Sequence, residues 1–181
     1  MGAPQPMDDP DAFLAALRPH YDDALRYCRG LWASGSPSDA EDAFQSALLR
    51  ALEGFAGLRD PARFRPWLFQ IVTREVRRAQ RRRPWRRWSP LPPDDEAGPL
   101  GLVAPSGSAE ALDLLRALAR LGRREREALL LFELGGFSVA EVADVQGDRS
   151  ASAVKSRLSR ARARLRAHLD DPLPAPLPSV P

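Results

Sequence analysis

The stretch Phe137–Leu169, FSVAEVADVQGDRSASAVKSRLSRARARLRAHL, limits the fold more tightly than any other, because it encodes two helices and the turn between them. Ser138 with Glu141 three residues on forms a capping box, which predicts a helix beginning at Val139. Gln146-Gly147-Asp148 interrupts it. A second helix then carries Val154, Leu158, Ala161, Leu165 and Leu169 on one stripe, at spacings of three and four. The pattern is that of a helix-turn-helix. Its polar side holds Lys155, Arg157, Arg160, Arg162, Arg164 and Arg166, cations left free for phosphates or base edges once the stripe is buried. A solvated arginine-rich helix would show the same face, so the distribution of charge along the chain has to decide.

Residues 1–60 carry 5 basic against 10 acidic side chains, residues 61–90 carry 10 against 1, residues 91–148 carry 5 against 11, and residues 149–181 carry 7 against 2. The formal net charge of +3 thus hides two basic blocks separated by acidic ones. Each basic block closes a helical region, a layout suited to two separate contacts with a polyanion. Arginine outnumbers lysine 26 to 1, so the argument rests on where the arginines lie and not on their identity.

Pro84–Gly107 is dense in Pro, Gly and Ser and lacks helical period, which marks it as a linker. The expected fold is therefore all-α, with two small helical domains at 8–83 and 108–170 joined by a Pro/Gly-rich linker at 84–107. The Pro-rich tail 171–181 is expected to be disordered. No apolar run approaches the roughly 20 residues of a membrane span, and the N-terminus has neither a basic nor an apolar leader segment, so no membrane insertion and a cytoplasmic location are expected. Cys28 stands alone, which excludes an internal disulfide, and its helical spacing from Tyr21, Ala24 and Leu25 reads as a small buried hydrophobe. His20 and His168 lie far apart, and there is no Cys/His cluster, nucleophile elbow or phosphate-cradling glycine loop. No catalytic residue, metal site or cofactor is expected.

In the N-terminal region, Phe13, Leu14, Leu17, Tyr21, Ala24, Leu25 and Cys28 follow a helical stripe that Pro19 should kink or divide. A second capping box, Ser38 with Glu41, opens a helix whose apolar positions are Phe44, Ala47, Leu48, Ala51, Leu52 and Phe55. Opposite that stripe, Asp42, Ser46, Leu49 and Glu53 share one arc with Gln45 beside them, so a leucine is presented among acids and amides as a protein-docking patch. Beyond the turn-rich Gly57–Arg63, Trp67, Leu68, Ile71, Val72 and Val76 supply core contacts. Arg74, Arg77, Arg78, Arg81, Arg82 and Arg83 make the remainder cationic. Arginines interleaved with aromatic rings beside a loop suit single-stranded nucleic acid. Trp67 and Phe69 read as core residues too, and for Trp67 that reading is the stronger.

The runs DAEDAFQSALLRAL, FRPWLFQIVTREVRRAQRRR, LARLGRREREALLLFELGGFSVAEVADV and AVKSRLSRARARLR, in this order and with a Pro-rich linker between the second and third, resemble a bacterial RNA polymerase sigma factor of the extracytoplasmic-function type. The resemblance spans about Asp11 to Leu169. It implies that the helix at Asp39–Phe55 docks on the clamp of core RNA polymerase, that Leu58–Arg83 melts the downstream promoter element, and that the C-terminal helix-turn-helix enters the major groove at the upstream element. The polymerase would perform the catalysis. Core RNA polymerase and promoter DNA are the implied partners, and an anti-sigma factor, which holds many relatives inactive, is a further one the resemblance allows.

On this reading the polymerase-facing residues are Asp42, Gln45, Ser46, Leu49 and Glu53. The upstream duplex falls to Arg149, Ser152, Lys155, Ser156, Arg157, Ser159 and Arg160, with Arg162 and Arg166 further along on backbone phosphates. The downstream single strand falls to Arg59, Asp60, Arg63, Phe64, Trp67, Arg74 and Arg78. Arg74 stands where the family commonly has an asparagine that holds a flipped base, and Arg78 replaces a nearby acid, so base capture is expected to lean on the loop while Arg74 grips a phosphate. The usual Gly-Thr-Val-Lys start of the recognition helix is here Ser152-Ala153-Val154-Lys155, after a turn that carries one extra residue. Two other classes compete. A stand-alone helix-turn-helix regulator would use its N-terminal domain for a ligand or a dimer, and an RNA-binding or architectural protein would use both basic blocks without sequence preference.

Overall fold

The computed structural model describes residues 10–32, 37–82, 109–148 and 150–170, and the regular structure among them is helical throughout. The N-terminal half holds α1 (Pro10–Leu17), α2 (Tyr21–Leu31), α3 (Pro37–Gly54) and α4 (Phe64–Arg81); the C-terminal half holds α5 (Ala109–Arg120), α6 (Arg123–Leu129), α7 (Val139–Gln146) and α8 (Ala151–Asp170). The linker 84–107, the tail 171–181, Arg83 and Arg149 lie outside the described residues.

Pro19 divides the first apolar stripe, as its missing amide requires: α1 gives way to a 3₁₀ turn at Arg18–His20 before α2 begins. Only Phe13 and Leu17 of the eight-residue α1 are buried, so Leu14, about 100° further round, is exposed rather than part of the stripe. The start of α3 also differs from expectation. The helix begins at Pro37, so Ser38 lies within its first turn and is not the cap; a proline there loses no hydrogen bond and brings a helical φ. Phe44, Ala47, Ala51 and Phe55 are buried, while Leu48 sits at the edge and Leu52 is exposed. The phenyl rings of Phe13, Phe55 and Phe64 meet edge to face at centroid distances of 5.4, 5.7 and 6.0 Å, locking the entry to α4 against α1 and the end of α3.

Two hydroxyl groups taken into this core are partnered. Tyr27 donates its hydroxyl hydrogen to Thr73 Oγ1 at 2.8 Å, and Thr73 in turn donates to the Phe69 carbonyl at 2.7 Å. Burial pushes the Tyr27 phenol well above its ordinary range. Cys28 is fully enclosed, its thiol lies 3.3 Å from the Ala40 carbonyl, and burial pushes its pKa up to about 12. It is the small buried hydrophobe that its spacing suggested.

In the C-terminal half the capping box forms as read: the Ser138 amide donates to Glu141 at 2.8 Å and the Glu141 amide to Ser138 Oγ at 3.3 Å. These bonds hold the Glu141 carboxyl below its usual range. Gly147, at φ 68°, turns the chain out of α7, a backbone conformation that costs a side-chain-bearing residue roughly 1 kcal/mol. Val154, Leu158 and Ala161 of α8 are buried, and Leu165 packs at the margin. Leu169 is exposed, contrary to the stripe, because the 20-residue α8 outruns the shorter helices beneath it.

The two halves, expected as separate small domains, share one continuous core. Between α6 and α7 the chain winds as a π-helical turn, Leu130–Leu134, closed by the Gly135 amide on the Leu130 carbonyl at 2.9 Å, and then passes through Gly136 at φ 62°. This path delivers Phe137 onto Phe69 of α4, with ring centroids 4.8 Å apart and the planes at 65°. The Arg65 guanidinium lies over the Phe137 ring at 4.1 Å and donates to the Gly135 carbonyl. On α6, Arg126 is buried and donates to the carbonyls of Leu118, Ala119 and Leu121 at the end of α5 and of Leu31 at the end of α2. Its charge is met by the negative ends of two helices, one from each half. We expect Phe137→Ala to lower the unfolding free energy by about 3–5 kcal/mol, read from chemical denaturation followed by circular dichroism. A loss below about 1 kcal/mol would mean that the Phe69–Phe137 contact contributes little to the shared core.

Candidate nucleic-acid and protein interfaces

Asp42, Gln45, Ser46, Leu49 and Glu53 are all exposed along one face of α3, as the helical period required. Leu49 is 62 % exposed, and Leu52 joins it at 43 %. Leu52 was missed in the sequence because it fits the apolar spacing; the small Ala47 and Ala51 beside it, which carry the close approach to neighbouring helices, were the available clue. Asp42 and Ser46 also form one lip of a groove of about 340 Å³ whose other lip is Glu75 and Arg78 of α4 with Arg82 just past its end.

At the turn before α4, Arg59, Asp60 and Arg63 are exposed. Asp60 has a structural task as well: its carboxylate accepts the Ala62 amide at 3.0 Å and caps the 3₁₀ turn Pro61–Arg63. Phe64 does not belong with them. It is 3 % exposed, enclosed by Phe13, Phe55, His20 and Trp67, so it cannot stack on a base without dismantling the aromatic cluster. Trp67 is half-buried, packed against the core and tilted against Phe64 at 5.8 Å. Phe69 is wholly core.

The arginines of α4 divide into two groups. Arg74, Arg81 and, just past the helix, Arg82 are exposed, and Arg78 is half-exposed with a carboxylate oxygen of Glu75 at 3.7 Å. Arg77 and Arg65 instead turn to the C-terminal half, Arg77 reaching Glu127 of α6 with bonds of 2.8 and 2.5 Å. That pair holds the Arg77 pKa above its ordinary value. Arg77 is therefore not available for the phosphate contact that the cationic run implied.

On α8, Ser152, Lys155, Ser156, Ser159 and Arg160 are exposed. Ser150 Oγ accepts the amides of Ser152 at 3.1 Å and Ala153 at 3.4 Å, satisfying donors left open at the start of the helix. Arg157 departs from the sequence reading. At 9 % exposure it points inward, donating to Gln146 Oε1 at 2.5 Å and to Asp148 at 2.5 and 3.3 Å. Asp148 also receives Arg124 at 2.8 Å. The turn is thus clamped by two guanidiniums on one carboxylate, and Arg157 braces α8 from within instead of presenting its guanidinium at the surface. Further along, Arg162 bonds Glu133 at 2.6 Å and Arg164 bonds Glu125 at 2.8 Å. Arg149 lies outside the described residues. Among the described residues no group of three or more His, Cys, Asp or Glu could hold a metal ion, and no helix is long and apolar enough to cross a membrane.

The Arg157 hydrogen bond, the largest influence, holds the Asp148 carboxyl below its usual range. A depressed folded pKa contributes stability above the unfolded value of about 3.9, and that contribution is lost as pH falls through the lower folded value. Asp148→Asn is accordingly expected to destabilise the protein at pH 7, and the gap in urea midpoint to the unsubstituted chain should narrow below about pH 4. A gap of equal size at pH 3 would show that Asp148 acts through something other than its charge.

Comparison with known proteins places these features in one family. The model described as Sigma-70 region 2 matches residues 16–86, and that described as Sigma-70, region 4 matches residues 111–165. ECF RNA polymerase sigma factor SigG of Mycobacterium tuberculosis is 35 % identical over 181 residues, covering 84 % of this chain and 47 % of that protein; the chain thus spans about half the length of SigG. ECF RNA polymerase sigma factor SigM of the same species is 32 % identical over 154 residues, covering 85 % of this chain and 75 % of that protein. Among solved structures, CnrH in complex with the cytosolic domain of CnrY superposes with a TM-score of 0.66 at 27 % identity, covering 90 % of each chain. The sigma factor RpoE in complex with the anti-sigma factor NepR from Bartonella quintana superposes with a TM-score of 0.64 at 26 % identity, covering 87 % of this chain and 98 % of that one. With both conserved regions matched in order, the chain belongs to the extracytoplasmic-function family of RNA polymerase sigma factors.

Proposed function

We propose that this chain directs core RNA polymerase to particular promoters and opens them for initiation, contributing address and strand separation while the polymerase performs the chemistry. The observation that carries the reading is the presence in one chain of three exposed faces with different chemistries. Leu49 and Leu52 among acids on α3 suit a protein. Arg59 and Arg63 at a capped turn, with Arg74 exposed further along α4, suit a strand whose bases are unpaired. Ser152, Lys155, Ser156, Ser159 and Arg160 on a braced helix suit a major groove. A stand-alone helix-turn-helix regulator has no use for the first two, and the N-terminal residues it would need for a ligand or a dimer are those that match sigma region 2.

The working units in this proposal are 8–83 for polymerase docking and melting, 84–107 as linker and 108–170 for the upstream element, in the cytoplasm where polymerase acts. Arg162 and Arg166 are assigned to backbone phosphates, Arg162 on exchange of its Glu133 partner for phosphate. Since the CnrH and RpoE structures are complexes with CnrY and with an anti-sigma factor, an anti-sigma factor is a further proposed partner of this chain.

Two outcomes test the separate faces. Asp42→Arg combined with Leu49→Ala should weaken the complex with core polymerase by about 2–4 kcal/mol, measured by fluorescence anisotropy of the labelled chain, if the pair lies near the centre of the contact. Undiminished affinity would remove the α3 face from the interface. Replacing Arg59 and Arg63 by Ala, with Asp60 kept so that the turn stays capped, should leave polymerase binding intact and reduce permanganate reactivity of thymines in the melted region. If the double variant opens promoters as well as the unsubstituted chain, the turn is a connector and strand capture lies elsewhere on α4.

A further inference from the structure

Glu127 is the most deeply enclosed carboxylate among the described residues, at 1 % exposure, and it is not satisfied by its own domain alone. Arg77 of α4, in the other domain, supplies the bidentate pair, with Nε to Oε1 at 2.8 Å and Nη2 to Oε2 at 2.5 Å. From Glu127 the bonds continue without a gap. Gln146 Nε2 of α7 donates to Glu127 Oε2 at 3.2 Å, Gln146 Oε1 accepts from Arg157 Nη1 of α8 at 2.5 Å, and Arg157 donates onward to Asp148 in the turn. One string of polar groups, buried at Glu127, Gln146 and Arg157, thus runs from α4, whose outer face carries Arg74 and Arg78, to the root of α8, whose outer face carries Lys155 and Ser159.

We propose that Arg77–Glu127 is a latch that holds the two domains closed in the free chain, and that Glu127, acting through Gln146 and Arg157 as a positioning residue, links that closure to the seating of α8. The physical reason is the asymmetry of a buried ion pair. While closed, the pair is compensated on both sides; when the domains part, Glu127 loses its cation and must draw in water, and the Gln146 amide that it fixed is free to reorient. The remaining contacts across the interface are of other kinds. Phe69 on Phe137 is apolar, the Arg65 contact is to a ring and a carbonyl, Arg126 reaches the Leu31 carbonyl at 3.2 Å but keeps the Leu118, Ala119 and Leu121 carbonyls of its own half, and Gln70 to the Asp144 carbonyl at 3.1 Å is a neutral bond that water can replace. The ion pair is the one contact among these whose rupture strands a buried charge. It is therefore where a binding partner or a substitution gains most leverage over the closed state. The proposal concerns the free chain and does not depend on what the open form binds.

The test uses the full chain with dyes on cysteines introduced at the exposed Ala56 and Ala167, the native Cys28 being enclosed and slow to label. Arg77→Gln and Glu127→Gln, each checked by circular dichroism for retained helix, should raise the ratio of open to closed molecules in single-molecule energy transfer by about tenfold or more. The double variant should open by less than the two single effects combined, because each removes the same pair. Arg77→Lys, which keeps the charge but loses the fork, should fall between, and it decides the matter if either glutamine variant fails to fold. Coupling to α8 is read by hydrogen exchange: in Arg77→Gln the amides of residues 150–156 should lose protection although the substitution lies in the other domain. Folded variants with unchanged transfer efficiency would overturn the latch, and opened domains with unchanged protection at 150–156 would overturn the link to α8.

Discussion

A carboxylate can remain ionised in a protein core only if a cation and further donors follow it there, and in this chain the cation for Glu127 comes from the other half of the molecule. Much of the architecture can be read as a consequence. Arg77 must sit on the face of α4 turned away from its exposed arginines, and α6 must approach α2 and α4 closely enough for the fork to close. The approach is permitted at Gly30, where an added Cβ would stand 2.8 Å from the Leu130 side chain. Arg126 works from the same helix, gathering the carbonyl ends of α2 and α5.

The same logic sorts a population of arginines that looks uniform in composition. Arg65, Arg77, Arg126 and Arg157 are held by rings, carboxylates and carbonyls inside the structure, whereas Arg59, Arg63, Arg74 and Arg160 keep their guanidinium groups at the surface. The planar fork of arginine makes the first group possible, since it can satisfy several acceptors at once where an ammonium would offer a point charge. The second group leaves two surfaces free for a polyanion even with the domains closed. Helix ends and turns are prepared by side chains too: Asp60, Ser138 and Ser150 each satisfy backbone amides that have no partner within the helix or turn.

Features set by local rules were legible in the sequence. The capping box at Ser138–Glu141, the break at Pro19, the interruption at Gln146–Asp148 and the exposed arc from Asp42 to Glu53 all follow from covalent geometry or from helical period, and all appear in the structure. What period cannot supply is the identity of the neighbour. Phe64 and Arg157 are of the right types and in the right places to touch nucleic acid, yet a ring cluster encloses one and a turn carboxylate holds the other. Leu52 and Leu169 match the apolar spacing but reach solvent because their helices extend past, or turn away from, the elements they pack on. The joining of the two domains was the least legible feature, since Phe69–Phe137 and Arg77–Glu127 link residues 68 and 50 positions apart with no local signature.

The central claim is that these surfaces together make a promoter-directing subunit, and run-off transcription tests it most directly. The full chain would be added to core RNA polymerase lacking any other sigma factor, with a library of promoter fragments as template and the transcripts sequenced. The account predicts transcripts that begin at defined positions, depend on the chain, and share both an upstream and a downstream element. Transcription that stays at the level of core polymerase alone, or that starts without preference for either element, would contradict it.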